Sequence, residues 1–406
     1  MVSAPLSLQT SRIRPAIQAI HGDIVEWRRH LHQYPELGFQ ETQTADFITQ
    51  KLTKWGIPHQ SGVAQTGIVA LIEGKTPRLG PMNPAVLGIR ADMDALPVQE
   101  QNQVAYRSRH DGKMHACGHD GHTAIALGLA HYLSQHPHFG GTVKIIFQPA
   151  EEGPGGAKPM IEAGVLKDPD VDAIIGLHLW NNLPLGTVGV RTGALMAAVE
   201  LFECVVQGKG GHGAMPHQTV DSIVVGSQIV TALQTIVARN VDPIESAVVT
   251  VGSFHAGSAH NVIANQATLT GTVRYFSPKY DGLLRDRIES IIRGTCEMQG
   301  ASYSLNYWKL YPPVINDTRI TALVRSVAET VLETPAGVVP DCQTMGGEDM
   351  SFFLQAVPGC YFFLGSANLN KGLSFPHHHP RFDFDEMALG MGVEIFARCV
   401  ERFFQG

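Results

Sequence analysis

Nine consecutive residues, Met114-His115-Ala116-Cys117-Gly118-His119-Asp120-Gly121-His122, carry one thiol, three imidazoles, one carboxylate and two glycines. Sulfur and nitrogen donors one residue apart, with glycines that let the backbone bend around an ion, suit a borderline-soft divalent metal. The alternative is a polar loop whose histidines are merely exposed. A single Cys-x-His is not a full coordination sphere, so the metal reading requires donors from elsewhere in the chain.

Such donors recur downstream. Glu151 and Glu152 follow Gln148-Pro149-Ala150, His178 closes an apolar run, and Phe375-Pro376-His377-His378-His379-Pro380 offers further imidazoles. That last string is internal and proline-flanked, unlike an expression tag. Cys117, His119, one of Glu151/Glu152, His178 and one of His377–His379 are too many ligands for one tetrahedral ion that keeps a water. They suit two ions sharing a bridging ligand, which a thiolate, a water or a hydroxide could be. The mixed nitrogen, oxygen and sulfur set points to zinc, manganese, cobalt or nickel without choosing among them.

The Glu151-Glu152 pair suggests a division of labour. Adjacent side chains in an extended segment point to opposite sides, so both face one site only at a bend, which Pro149 and Gly153 favour. One carboxylate then ligates while the other accepts a proton from water, whose pKa metal coordination lowers from about 15.7 toward about 7. Two solvated loop acids are the plainer alternative. Asp94 could orient a ligand from behind, or simply turn the chain before Pro97. His115 and His122 either support ligands in the same way or pack.

These residues need elements to position them. Residues 11–34 read as an amphipathic helix, with Ile17, Ile20, Ile24, Trp27 and Leu31 at helical spacing and Pro35 as its stop. Glu41 to Trp55 reads as a second helix, closed by Gly56. Gly67–Glu73 and Val86–Arg90 read as apolar strands, the latter running into Asp92 and Asp94. A helix with an Ile125, Leu129, Tyr132, Leu133 stripe follows the Cys-x-His string. Then come a strand over 143–147, a helical stretch near 157–163, and a strand over 172–177 that ends at His178. This alternation predicts a layered α/β fold with a largely parallel sheet. Three strands would thus deliver polar residues at their C-terminal ends, the edge where open α/β sheets bind ligands.

From Gly193 the pattern changes. Strands over 200–207, 247–254, 267–276 and 303–308, with helices over 220–239 and 280–298, give the order β-α-β-β-α-β of a split βαβ unit. Its size, 193–311, suits an inserted domain, and Pro312-Pro313 marks the return. A helix over 319–332, a strand over 360–364 and a helix over 386–404 resume the α/β character.

Composition bounds the function class. The 406 residues carry a formal charge of −7, without Lys/Arg blocks, which argues against nucleic acid as partner. Met1 to Pro15 has no apolar stretch of the signal-peptide kind and no later segment approaches a membrane span, so no membrane and a cytoplasmic location are expected. The six cysteines are scattered, as free thiols in a reducing compartment would be.

Arg28-Arg29-His30-Leu31-His32-Gln33-Tyr34-Pro35-Glu36-Leu37, Arg90-Ala91-Asp92-Met93-Asp94-Ala95-Leu96-Pro97, His115-Ala116-Cys117-Gly118-His119-Asp120 and Gln148-Pro149-Ala150-Glu151-Glu152-Gly153 recur in one known family. So do Gly208-Lys209-Gly210-Gly211-His212, His260-Asn261-Val262-Ile263, Gly271-Thr272-Val273-Arg274 and His378-His379-Pro380-Arg381-Phe382. Together, and in this order, they resemble the metal-dependent amidohydrolases that include hippurate hydrolase, aminoacylase-like N-acyl-amino-acid hydrolases and plant auxin-conjugate hydrolases. The resemblance implies a dinuclear site held by Cys117, His119, Glu152, His178 and His378, with Cys117 bridging and Glu151 as general base. His378 is preferred to its neighbours because it stands two before the proline of Pro-Arg-Phe. The resemblance also implies that the inserted domain is a lid carrying a dimer interface. By the same likeness His212 donates to the oxyanion, and Asn261 and Arg274 hold a substrate carboxylate.

The expected architecture is α/β: a three-layer catalytic domain around a mostly parallel sheet, over 1–192 and 312–406, with an inserted ferredoxin-like lid and dimerisation domain over 193–311. The expected activity is hydrolysis of the amide of N-acyl or aryl-acyl amino acids by metal-activated water, with two divalent ions and a homodimer or higher homo-oligomer. A dipeptidase or carboxypeptidase would use the same site. A cysteine hydrolase with Cys117 as nucleophile leaves Glu151, Glu152 and His178 without purpose. A non-catalytic metal-binding protein on the same fold would be expected to lack a ligand or the base, and none is missing.

Overall fold

The apolar runs of the sequence become neighbours in one sheet. In the computed structural model, which describes residues 13–77, 80, 85–332 and 335–405, the chain divides into two units. The first comprises Met1–Leu195, Ile315–Cys342 and Asp349–Gly406, and the second Met196–Val314 with Gln343–Glu348. The stretch read for a signal peptide and the start of the helix over 11–34 fall largely outside the described residues.

In chain order the first unit begins α1 (Pro15–Ala19), α2 (His21–Gln33), α3 (Thr42–Lys54), β1 (His59–Val63), β2 (Gly67–Glu73) and β3 (Val86–Asp92). It continues α4 (His119–Gln135), β4 (Thr142–Gln148), α5 (Ala157–Glu162), β5 (Ala173–Pro184) and β6 (Val188–Gly189). The second unit holds β7 (Ala198–Gln207), α6 (Ser222–Leu233), α7 (Thr235–Asn240), β8 (Ala247–Ala256), β9 (Gln266–Tyr275), α8 (Leu283–Gln299) and β10 (Ser302–Tyr311). The return to the first unit is α9 (Thr318–Leu332), β11 (Val338–Val339), α10 (Met350–Ala356), β12 (Gly359–Ala367) and α11 (Met387–Gln405).

The large sheet has the order β1-β2-β4-β3-β5-β12-β6-β11, and β4, β3, β5 and β12 at its centre are parallel. Side chains alternate across it. Leu87, Ile89, Ile175, Leu177 and Phe362 pack into one core with Ile24, Ile125, Leu129, Val327 and Phe396 from the helices. Gly128 of α4 is part of that packing, because a Cβ there would lie 2.8 Å from Val393 and 2.9 Å from Ile24. The alternate positions, Arg90, Asp92, Gly176, His178, Tyr361 and Phe363, face the other way, where α10 packs on β5 and β12. The protein is thus an α/β fold around a mostly parallel sheet.

The second unit is an antiparallel sheet of order β8-β9-β7-β10, with α6 and α8 packed on it through Phe202, Val206, Val225, Ile229, Leu269, Val273, Leu284 and Ile288. Its chain order is β-α-β-β-α-β, which is a ferredoxin-like arrangement. Ser222–Asn240 is long and apolar enough to cross a membrane by length and composition. Here Val225, Ile229, Leu233 and Ile236 face the unit's own core.

Three elements differ from the sequence reading. The helix over 11–34 is interrupted at Ile20 (φ −100°, ψ 2°), which closes α1 and opens α2. The helix over 220–239 starts only after Asp221, whose carboxylate accepts from Ile223 N and Val224 N, and breaks at Gln234. Finally, His178 is not at a strand end. β12 stays paired with β5 through His178↔Phe363 as far as Ala367↔Pro184, so the extended backbone continues past the polar residue.

A buried ion cluster joins α2 to α4. The His32 ring faces Asp120 Oδ2 at 2.7 Å through Nδ1 and Glu100 Oε1 at 3.2 Å through Nε2. Burial and the Arg28 charge push this imidazole down, but the two carboxylates outweigh them and hold its pKa at about 9, above the ordinary 6.5. A raised folded-state pKa gives stability that is complete below the unfolded value and lost as pH rises through the folded one. His32 should therefore contribute on the order of 3 kcal/mol below pH about 6.5 that disappears by pH about 9. A thermal-melting series over that range checks this: His32→Gln should lower Tm at pH about 6 and flatten the decline toward pH about 9. An unchanged slope in the variant would contradict it.

Candidate metal centre

Gly118 makes the turn that points Cys117 and His119 inward. It precedes α4 with φ +96°, a conformation that any side chain would strain. His119, Asp120 and His122 then occupy the buried first turn of α4. His119 Nδ1 lies 2.9 Å from the Asp94 carbonyl and 3.2 Å from Asp94 Oδ1, which places the proton on Nδ1. Its Nε2 is buried without a hydrogen-bond partner among the described residues. His178 donates from Nδ1 to Leu179 O at 2.6 Å, leaving Nε2 facing Cys117 Sγ at 3.5 Å.

The bend at the glutamate pair centres on Ala150, an alanine at φ +54°. Asp94 Oδ1 accepts from Glu151 N and Oδ2 from Glu152 N, each at 3.0 Å, so the turn wraps around one carboxylate. Ala150 N donates to the buried Glu41 Oε1 at 2.9 Å. Donor atoms of His119, Glu151 and Glu152 consequently lie within 4.8 Å of one another. Glu41, read in the sequence as a helix residue, stands just before α3 and turns its carboxylate to this bend instead; nothing local in the sequence marks it.

Of the three adjacent histidines only His378 joins these donors. Its backbone N donates to Ala116 O at 2.7 Å, and Nε2 stands 3.0 Å from Glu152 Oε1. His377 Nε2 donates to Leu179 O at 2.9 Å while the ring stacks on Trp180. His379 stacks on Phe375, and its Nδ1 accepts from Arg381 N at 3.0 Å. His122 is also committed: Nδ1 donates to Asp92 Oδ1 at 2.6 Å and Nε2 accepts from Leu179 N at 2.8 Å. Asp92 further accepts from Arg90 Nη1 at 2.6 Å, which neutralises it. His115 is buried with neither ring nitrogen paired among the described residues.

Of the donor groups among the described residues, Cys117/His119/His178 and Cys117/Glu152/His378 share one sulfur. The spacing suits metal ions. Bonds of about 2.3 Å to sulfur and about 2.0 Å to nitrogen at a tetrahedral angle separate the two donors by roughly 3.5 Å, and Cys117 Sγ and His178 Nε2 stand 3.5 Å apart. The protonation pattern fits as well. Burial, with Glu152 and Glu151 nearby, pushes the Cys117 thiol well up, and burial pushes His178 well down. Burial would also lower His119, but Asp92 and Asp94 raise it to about 10. A thiol, imidazoles and carboxylates crowded out of water are satisfied together by divalent cations, which would deprotonate the thiol.

The remaining expected residues lie in the second unit. His212, on Gly211–His212 paired with Val262–Ile263, is exposed, and its Nδ1 accepts from Ala214 N at 3.0 Å. Asn261 is its neighbour, the Asn261 carbonyl accepting from Gly213 N at 2.8 Å. Arg274, on β9 opposite Val248 and Val199, buries Nη1 without a hydrogen-bond partner among the described residues. Burial lowers its pKa.

Residues 88–402 match the family model described as peptidase family M20/M25/M40. An N-acyl-L-amino acid amidohydrolase of Geobacillus stearothermophilus is 45% identical over 306 residues, covering 75% of this chain and 80% of that protein. A thermostable carboxypeptidase 1 of Saccharolobus solfataricus is 36% identical, covering 97% and 98% of the two chains. The crystal structure of the Bacillus subtilis YXEP protein, a dinuclear metal-binding peptidase of the M20 family, superimposes with a TM-score of 0.82 at 35% identity, covering 96% of this chain and 99% of that one.

Proposed function

This chain belongs to peptidase family M20/M25/M40 and is a metal-dependent amide hydrolase, and on that premise we propose that it cleaves N-acyl amino acids to a carboxylic acid and a free amino acid. The observation that carries the reading is the pair of donor groups meeting at Cys117 with Glu151 beside them. Cys117, His119 and His178 would hold one divalent ion, and Cys117, Glu152 and His378 the other. Zinc, manganese, cobalt or nickel would suit these donors. The ions supply the Lewis acidity that polarises an amide carbonyl and acidifies a water.

The chain's own residues do the rest. Glu151, held in place through its backbone N by Asp94, takes the proton from the attacking water and returns it to the leaving nitrogen. Asp94 also holds His119 in the tautomer that leaves Nε2 available. His212 would donate to the oxyanion. Arg274, whose buried Nη1 has no hydrogen-bond partner among the described residues, is a guanidinium suited to a free carboxylate, with Asn261 beside it in role. The protein would be a cytoplasmic homo-oligomer assembled through the second unit, which would act as a lid and whose surface exposes Ile223, Val224 and Trp308, and it would have no nucleic-acid or membrane partner.

The likeness to a carboxypeptidase favours a second reading, cleavage of a peptide bond with the same metals and carboxylate clamp. Turnover of N-acetyl and N-benzoyl amino acids, their C-terminal amides and dipeptides separates the two. The N-acyl amino acids should lead, and the amides should lose at least about 10-fold in kcat/KM through loss of the carboxylate–guanidinium contact. Dipeptides turned over fastest would transfer the assignment to the peptidase.

A further inference from the structure

His378 holds a left-handed backbone, φ +65°, in a residue that carries a side chain. Such a conformation persists only when its surroundings over-determine it. The ring is also 55% exposed, so burial does not fix it. The loop 375–386 is tied by Asn181 to Phe375 O and Asp383 O and by Asn102 to Phe382 O, and its charged hold lies behind it. Arg28 of α2 is fully buried and spreads its guanidinium over three carboxylates. Nε donates to Asp120 Oδ2 at 2.8 Å, Nη2 to Asp383 Oδ1 at 2.8 Å and Nη1 to Glu386 Oε1 at 3.3 Å. Phe384 lies against the guanidinium face at 4.2 Å, and Tyr106 donates to Asp383 Oδ2 at 2.8 Å.

Asp120 adjoins His119, whereas Asp383 and Glu386 end the loop that presents His378. One rigid fork therefore joins the two ligand-bearing segments. A buried charge cluster of this kind is expensive compared with apolar packing, so its directionality is the better reason for its presence. His119 is held directly through Asp94, whereas His378 is held through its backbone N, which donates to Ala116 O at 2.7 Å, and through the loop that Arg28 ties at Asp383.

We propose that Arg28 is a positioning residue for the ion held by Cys117, Glu152 and His378, acting through Asp383. This inference rests on the dinuclear reading above. Its test is calorimetric titration of metal-stripped full-length protein with Zn²⁺ alone, on wild type, Arg28→Lys and Asp383→Asn. Lysine keeps the charge but loses the fork, and asparagine keeps the volume should the first variant fail to fold. Wild type should bind two ions. Either variant should weaken one site by about 10–100-fold and leave the other within about threefold, with excess Zn²⁺ restoring turnover. Both sites changing equally, or neither by more than about twofold, would overturn the proposal while the dinuclear reading stands. Failure of wild type to bind Zn²⁺ would overturn that reading itself.

Discussion

Glu151→Gln is expected to retain both metal ions and to lose about 10²–10⁴ in kcat. Glutamine keeps the size of the side chain, and the turn that carries it is fixed through backbone donors to Asp94 and Glu41, which the substitution leaves alone. Only the ability to take and return a proton is removed. Metal analysis of the purified variant should match wild type, while steady-state turnover of an N-acyl amino acid collapses with little change in KM. Near wild-type turnover would remove Glu151 from its role. Glu152→Gln should behave differently: its carboxylate stands 3.0 Å from His378 among the donors, so the loss should include metal affinity.

Cys117→Ala should have the widest effect, because both donor groups use the same sulfur. Without it, His119 and His178 remain on one side and Glu152 and His378 on the other, half a coordination sphere each. Metal affinity at both positions should fall by more than the roughly 10–100-fold typical of losing a partner behind a ligand, and turnover should fall with it. Metal content measured after dialysis gives the answer. Were Cys117 instead a nucleophile, the alanine variant would be inactive yet keep its ions, and that outcome would contradict the shared-sulfur arrangement.

The sheet and its donor-bearing loops were legible because their signals are local. Val143–Phe147 and Val86–Ile89 are apolar enough to mark buried parallel strands, and the Cys-x-His string declares itself by residue type. What the sequence hid depends on contacts distant along the chain. Pro149 and Gly153 suggest a bend but do not mark Ala150 for a positive φ; Glu41, more than a hundred residues earlier, anchors its backbone N there. His178 looked like the end of a strand because a polar residue closed the apolar run, but pairing with β12 carries the backbone on. The choice among His377, His378 and His379 rests on Leu179 O, Ala116 O and Phe375, none of them near in sequence. Asp92, which orients His122, was visible only as an acid near a strand end.

Two divalent ions, shared at Cys117, would make this chain an amide hydrolase. Chelator-stripped protein should be inactive on N-acyl amino acids and regain activity on titration with Mn²⁺, Zn²⁺, Co²⁺ or Ni²⁺. The recovery should saturate only when about two ions are bound per chain, the number the two donor groups accommodate. Full activity in metal-free protein, or saturation at one bound ion, would contradict it.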